Sequence, residues 1–205
     1  MNDNSFSRYN RQENIQSIYY YQDTEVYVNK LGIKDPDILF SVENDLTYQR
    51  LSELHLNPVL GRFGVTHLLK THKYIFQDLY RFAGKIREET IIKGDTQFCD
   101  CRFIIDSLNK LFSNLKADKY FNGLSVKDFA IKSASFLDDL NMIHPFREGN
   151  GRAIREYYRC LALKSGYKID WSLVDKDELL NAFIYSVRKD TSRLIQCVYT
   201  VIENK

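Results

Sequence analysis

The sequence predicts an all-α domain of six to eight helices with one β-hairpin. Apolar residues recur every three or four positions through most of the chain, which is the helical period. Strands do not alternate with helices, and no segment repeats. Of the 205 residues, 44% are hydrophobic and 14% aromatic, so one sizeable core can be buried. A single helical domain therefore fits the chain best.

Charge and composition set limits on partners and compartment. The chain has 29 basic and 27 acidic side chains, a formal charge of +2, which gives no large uniform field for nucleic acid or an anionic membrane. We expect neither as a direct partner. The polar N-terminus carries no apolar signal segment, and no stretch of the sequence is apolar enough to span a bilayer. We expect a cytoplasmic protein whose four cysteines are reduced thiols.

The first 34 residues differ in character from the rest. Residues 1–34 are rich in Asn, Gln, Ser and Tyr, which predicts a loosely structured arm packed on the body, with the domain proper spanning residues 35–205. Asp35 and Pro36 have the residue types of an N-cap and a first helical position. A helix of about four turns is expected to follow them.

The middle of the chain contains the predicted hairpin. A second helical pattern follows Gly64 and runs to Phe82, where Gly84 ends it. The next segment, residues 85–99, alternates in character and turns at Lys93-Gly94-Asp95, so we predict a β-hairpin.

Helical patterns resume after the hairpin. Ser125 with Asp128 three residues later resembles a capping box, and the helix that it begins is expected to end near Asn141. Another helix begins at Asn150 and ends before Gly166, a residue suited to the left-handed position after a helix. Further helical patterns lie at residues 103–115, 179–187 and 194–202.

One segment carries chemistry that an ordinary loop does not need. Residues 144–155 read HPFREGNGRAIR and lie between two predicted helices. Gly149 and Gly151 permit unusual backbone conformations and a close approach of backbone N–H groups to a ligand. Because a helix starts there, those N–H groups lie at its positive end, which predicts a phosphate site.

The charged residues of this segment suit a nucleotide. Arg152 and Arg155 are three residues apart on one helix face and can bind consecutive phosphates. Glu148 is an oxygen ligand of the kind that binds magnesium beside substrate phosphates. His144, at the end of the preceding helix, can accept a proton near neutral pH. A phosphate-transfer centre is predicted.

This segment resembles the Fic family. It matches the pattern H-x-F-x-[D/E]-G-N-G-R-x-x-R at every fixed position. The flanking helices and the predicted hairpin, which is similar to the family's flap, extend the resemblance to residues 18–200. The run YQDTEVYVNKLGIKD is similar to the stand-alone bacterial toxin branch of the family. The resemblance implies a Fic fold, built around a helix-loop-helix motif.

The resemblance also implies an activity, namely AMPylation, in which AMP moves from ATP to a hydroxyl of a target protein. Under that reading His144 is the general base and Glu148 the Mg²⁺ ligand, with ATP and Mg²⁺ as cofactors. Phe146 is the buried anchor of the motif. The anion cradle and the residues that hold the outer phosphates are then Gly149, Asn150, Gly151, Arg152 and Arg155.

The same resemblance bears on partners. The flap near Lys93, Gly94 and Phe98 is expected to pin the target segment by adding it as a strand, and relatives in the toxin branch modify type II topoisomerase subunits. Two alternatives remain: a nucleotide-binding adaptor without turnover, and a transferase that uses another nucleotide. His72, on an apolar helix face, is expected to be packed rather than to bind a ligand.

Many Fic proteins carry an inhibitory helix with the pattern [S/T]-x-x-x-E-[G/N], whose Glu pairs with the second arginine of the motif. Glu followed by Gly or Asn occurs here at four positions, and none has Ser or Thr four residues earlier: Glu13, Glu43, Glu148 and Glu203. We therefore expect the inhibitor to be a separate small antitoxin protein that acts on Arg155. Glu203, on what the sequence predicts to be a core helix, is the nearest internal alternative.

Overall fold

The computed structural model describes residues 17–187 and 190–204. Within them the chain forms seven α-helices and one two-stranded antiparallel hairpin, so the predicted all-α class with a single hairpin is confirmed. The elements are α1 (Pro36–Leu56), α2 (Val65–Phe76), β1 (Ile92–Lys93), β2 (Thr96–Gln97), α3 (Ile104–Ala117), α4 (Val126–Ile143), α5 (Asn150–Lys164), α6 (Lys176–Val187) and α7 (Ser192–Thr200).

The first helix begins where the sequence predicts. The Asp35 carboxylate accepts hydrogen bonds from the N–H groups of Asp37 and Ile38, and Pro36 occupies the first turn. The helix has 21 residues, which is longer than the expected four turns. It continues to Leu56 because no Gly or Pro interrupts it before Pro58.

The second helix is shorter than predicted. It ends at Phe76, so the expected continuation to Phe82 is wrong. Lys30 of the N-terminal arm explains the early end, because its ammonium group donates to the Gln77 carbonyl at 2.5 Å and its N–H to the Leu79 carbonyl at 2.7 Å. A helix that continued to Phe82 would need the Gln77 carbonyl for the Arg81 N–H, so the contact with Lys30 competes with that continuation.

The helices α4 and α5 form the centre of the fold. The Ser125 hydroxyl caps α4 by accepting from the Asp128 N–H, as the sequence predicts, and α4 ends at Ile143, two residues later than expected. Helix α5 packs between α2 and α4 and buries Tyr157 and Tyr158 completely. The loop that joins α4 to α5 therefore lies where three helices meet.

The described part of the N-terminal arm packs on this core. Tyr20 and Tyr27 form an isolated antiparallel bridge, and Tyr19 and Val26 are buried. Residues 1–16 of the predicted arm lie outside the described residues. The division of the chain at residue 34 stays a prediction.

The hairpin is small. Ile92 pairs with Gln97 and Lys93 with Thr96, and Gly94 at the turn has φ of 56°. One further hydrogen bond, from the Phe98 N–H to the Ile91 carbonyl at 3.1 Å, extends the pairing toward the body. Among the helices of the described residues, none has the length and apolar character that crossing a bilayer requires.

Candidate active site

The loop between α4 and α5 is closed by one side chain. The Asn150 carboxamide accepts from the Phe146 N–H at 2.8 Å and donates to the Phe146 carbonyl at 2.7 Å. The Phe146 ring is fully buried and stacks on the His72 ring, with 3.8 Å between centroids. The two hydrogen bonds of Asn150 and the buried Phe146 ring thus hold the loop in one conformation.

His144 lies at the C-terminus of α4 in a left-handed conformation, with φ of 47° and ψ of 62°. Its Nδ1 is 3.0 Å from the Asn141 carbonyl, which can only accept, so Nδ1 carries the proton and Nε2 is the basic nitrogen. The Phe98 ring of the hairpin stacks on the imidazole at 3.9 Å. Burial lowers the pKa of His144 to about 3, so the ring is neutral at physiological pH.

Glu148 lies beside the start of α5 and is partly buried, with 15% of its side chain exposed. Its Oε1 accepts from the Gly149 N–H at 2.7 Å, whereas Oε2 is buried and has no hydrogen-bond partner among the described residues. Burial raises the pKa of this carboxyl group, and the nearby Glu43 carboxylate raises it further. A buried oxygen without a partner is costly, and a cation would satisfy it.

The start of α5 is shaped by two glycines. Gly149 has φ of +77°, and a Cβ there would lie 2.1 Å from the Phe76 ring, so no larger residue fits. A Cβ at Gly151 would lie 3.2 Å from Nη1 of Arg155. The first N–H groups of α5, at Asn150 and Gly151, have no acceptors within the helix and can donate to a bound anion.

Arg152 is already held by protein groups. Its guanidinium donates to the Glu43 carboxylate at 2.5 Å and to the Thr47 hydroxyl at 3.1 Å, and lies over the Phe76 ring at 4.7 Å. Glu43 also accepts a hydrogen bond from the Tyr80 hydroxyl. The sequence gives no indication of this contact from α1, because Glu43 lies 109 residues before Arg152.

Arg155 is different. In the described part of the chain its guanidinium has no ion-pair partner, and burial together with the charge of Arg152 lowers its pKa to about 10. It borders a cavity of about 460 Å³ that is also lined by Arg159, Trp171 and Glu203. Glu203 follows the end of α7, so its expected place on a core helix is wrong, and no ion pair joins it to Arg155.

The hairpin lies next to the His144 imidazole. Lys93 lies on β1 and Gly94 in the turn, and Phe98 is the residue that touches the imidazole. Burial dominates the pKa values of His144 and Glu148, and the charge of Lys93 lowers both slightly. The contact between Phe98 and the imidazole places this part of the hairpin beside His144, while Gly94 lies in the turn beyond it.

His72 is packed in the core, as expected, but it also supports the site. Its Nδ1 accepts from the Gly84 N–H at 2.8 Å, so its Nε2 carries the proton and donates to the Glu148 carbonyl at 2.9 Å. Burial lowers the pKa of His72 to about 3, which keeps it neutral. The sequence shows that His72 lies on an apolar helix face, but it does not indicate the hydrogen bonds of His72 with Gly84 and Glu148.

Two more residues near the site were missed. Arg147 lies with its guanidinium over the rings of Tyr19, Tyr20 and Tyr27, which connects the loop to the N-terminal arm. Arg87, just before the hairpin, is only 2% exposed. A charged residue within a strand-like segment gives no indication in sequence that it will be buried.

Comparisons with known proteins agree with this geometry. A family model described as the Fic/DOC family matches residues 62–160. The chain is 31% identical over 159 residues to the probable protein adenylyltransferase Fic of Escherichia coli strain K12, covering 78% of each protein. It is 37% identical over 164 residues to the protein adenylyltransferase VbhT of Bartonella schoenbuchensis, which covers 80% of this chain and 34% of VbhT. The chain thus spans about a third of the length of that relative.

Solved structures show the same fold. The N-terminal Fic domain of a VirB-translocated Bep effector protein from Bartonella quintana, with bound ADP, superposes with a TM-score of 0.84 and 27% identity over 90% of this chain and 94% of that one. The BepC protein of Bartonella tribocorum, with bound AMPPNP, gives a TM-score of 0.84 and 25% identity over 91% and 97% of the two chains. The fold, the loop between α4 and α5 and the sequence similarity lead to one conclusion: this chain belongs to the Fic/DOC family.

Proposed function

We propose that the protein is a protein adenylyltransferase that moves AMP from Mg-ATP to a hydroxyl group of a target protein. One observation carries the proposal: a neutral, buried His144 ends α4, and at the start of α5 the Arg155 guanidinium lies next to Gly151 without an ion-pair partner among the described residues. The first group can accept a proton and the second attracts an anion. The names of the relatives support this activity, as do the nucleotides bound in the structural neighbours.

The proposed reaction assigns each of these groups a role. The target hydroxyl attacks the α-phosphorus of ATP while Nε2 of His144 takes its proton. The new bond joins the target oxygen to the α-phosphorus, and the bond from that phosphorus to the oxygen bridging to the β-phosphate breaks. Pyrophosphate leaves with the electron pair of that bond. The N–H groups of Asn150 and Gly151 stabilise the charge on the α-phosphate.

The two arginines have different parts in this scheme. Arg155 has no other anion to bind in the described structure, so we assign it to the outermost phosphate. Arg152 is oriented by Glu43 and Thr47 and would contact the neighbouring phosphate from that fixed position. An oriented donor loses less entropy when the nucleotide binds.

The residues present fit a magnesium ion. Within the described residues no three His, Cys, Asp or Glu side chains cluster as a complete metal site, so a protein-only site is not formed there. Magnesium instead commonly uses one or two carboxylates and the phosphates of its substrate, and the unpartnered Oε2 of Glu148 suits that arrangement. Bound there, the ion would neutralise charge on the leaving pyrophosphate.

The hairpin is the proposed docking edge for the target. A segment of the target that pairs with the main chain near Lys93 and Gly94 would lie across the His144 imidazole, because Phe98 joins that ring to the hairpin. Main-chain pairing tolerates many sequences, so the hairpin alone does not select the target. The family resemblance makes a type II topoisomerase subunit the first candidate.

We also propose that the chain acts in the cytoplasm as the toxin of a toxin–antitoxin pair. The cavity beside Arg155 is open, and no ion pair to Arg155 is formed by Glu203 or by another described residue. A separate antitoxin that places a carboxylate on Arg155 would prevent the outer phosphate from binding there. The purified chain is therefore expected to be active alone, and its expression to be toxic. An inactive chain that Glu203→Gly activates would contradict this.

Side-by-side labelling tests the transferase proposal. ATP, GTP, UTP and CTP, each labelled at the α-phosphate, would be incubated with the chain, Mg²⁺ and a purified type II topoisomerase or a bacterial lysate. We expect a labelled protein band from ATP. A band from another nucleotide alone would favour a transferase that uses that nucleotide. Nucleotide binding without any labelled band would favour an adaptor without turnover.

A further inference from the structure

Arg87 is the largest side chain that is fully buried in the described structure. Its guanidinium donates to four carbonyl oxygens. Nη1 donates to Glu89 at 2.6 Å, Nη2 to Cys99 and to Ile143, the latter at 3.4 Å, and Nε to His144 at 2.8 Å.

These four acceptors belong to two different parts of the fold. Glu89 precedes the hairpin and Cys99 follows it, so Arg87 joins both ends of the hairpin. Ile143 is the last residue of α4 and His144 caps it, at the end where carbonyl groups lack helical partners and the helix dipole is negative. The planar guanidinium fork can reach all of these oxygens at once, whereas the single ammonium group of a lysine cannot.

Two backbone hydrogen bonds reinforce the same junction. The Arg87 N–H donates to the Pro145 carbonyl at 2.9 Å, and the Cys99 N–H donates to the Met142 carbonyl at 3.0 Å. The hairpin is therefore fixed to the backbone on either side of His144. A movement of the hairpin relative to α4 must break several of these bonds.

We infer that Arg87 is a positioning residue, which sets the distance between the hairpin that presents the target and the His144 imidazole that accepts its proton. This inference rests on the proposed function. A buried cation is costly, and an apolar side chain could fill the same space, so its four directed hydrogen bonds are the reason to keep it. Since errors of about 1 Å in the placement of reacting groups reduce rates about 100-fold, the junction matters for the rate more than for nucleotide binding.

The kinetic test is Arg87→Lys, which keeps the charge and removes the fork. We expect kcat to fall at least about tenfold, while the KM for Mg-ATP stays within about twofold of the wild type. The matched control is Arg102→Lys. Arg102 lies three residues after Cys99, is exposed, and pairs only with Asp100 among the described carboxylates. The kinetic constants of this control should not change. A folded Arg87→Lys protein with an unchanged kcat, or with a loss in ATP affinity alone, would overturn the inference.

Hydrogen exchange on the wild-type protein tests the junction without any activity. We expect the N–H groups of Arg87 and Cys99, which donate to the Pro145 and Met142 carbonyls, to exchange with similar protection, because one opening event releases both, and the turn at Gly94 to exchange faster. Protection of Cys99 that is at least about 100-fold weaker than that of the Arg87 N–H would contradict the inference. If Arg87→Lys does not fold, this measurement decides alone. A wild-type chain that shows the shared protection but transfers no AMP would instead contradict the proposed function.

Discussion

Replacing Gly149 with alanine tests how the loop packs on the core. At φ of +77° an alanine would be strained by about 1–2 kcal/mol. Its Cβ would lie 2.1 Å from the Phe76 ring, which is fully buried and stacked on His72, so the ring must move within a packed core at a cost of about 1–3 kcal/mol. We expect a total loss near 3 kcal/mol, which lowers Tm by about 6–12 °C for a chain of this size.

Gly32→Ala is the matched control for this experiment. Gly32 has a similar φ of +71°, but a Cβ there would meet no atom within 4 Å. Its loss of stability should be the conformational part alone, about 1–2 kcal/mol or 2–8 °C in Tm. Thermal unfolding of the two variants and the wild type, followed by circular dichroism, gives the comparison. Equal losses in Tm would show that Phe76 moves freely and would refute the packing argument.

Three further predictions concern charged groups of the site. Arg155→Met should change Tm little, because the partly exposed guanidinium has no ion-pair partner to lose among the described residues, yet should weaken Mg-ATP binding at least about tenfold and AMP binding far less; equal losses for ATP and AMP in calorimetry would contradict it. The pKa of His144 is about 3 in the folded protein and near 6.5 in the unfolded chain, so the unfolded state binds the extra proton and stability falls as the pH decreases below 6.5. Between pH 7 and pH 5 the wild type should therefore lose about 2 kcal/mol more than His144→Ala in urea unfolding, and parallel curves would argue against a buried neutral ring. Glu43→Gln should destabilise the fold by about 1–3 kcal/mol, since it leaves Arg152 without its main partner, and should do so more than Glu53→Gln at the more exposed pair with Arg50; equal effects of the two substitutions would refute the importance of this contact.

Local features of the sequence predicted the framework well. The cap at Asp35, the capping Ser125 and the glycine after α5 act within a few residues, so their residue types were enough to predict them. The end of α2 was predicted wrongly because Lys30 donates a hydrogen bond to the Gln77 carbonyl. Lys30 lies 47 residues before Gln77, so the local helix pattern gives no indication of this contact.

The site shows the same division. Residues 144–155 lie together in sequence, so the loop and its glycines could be identified directly. Glu43 on Arg152, Arg87 on the His144 carbonyl and His72 on the Glu148 carbonyl join positions far apart in the chain. Two of these three contacts are made to backbone carbonyls, which every residue type carries, so no sequence pattern indicates them.

Transfer from ATP labelled at two different positions tests the central claim most directly. The chain and its His144→Ala variant would each be incubated with Mg²⁺, a bacterial lysate and ATP labelled at either the α- or the γ-phosphate. The account predicts that the wild type labels protein from α-labelled ATP only, and that His144→Ala, with ATP binding retained, labels none. Label from the γ-phosphate, or equal α-labelling by His144→Ala, would contradict adenylyl transfer with His144 as the base.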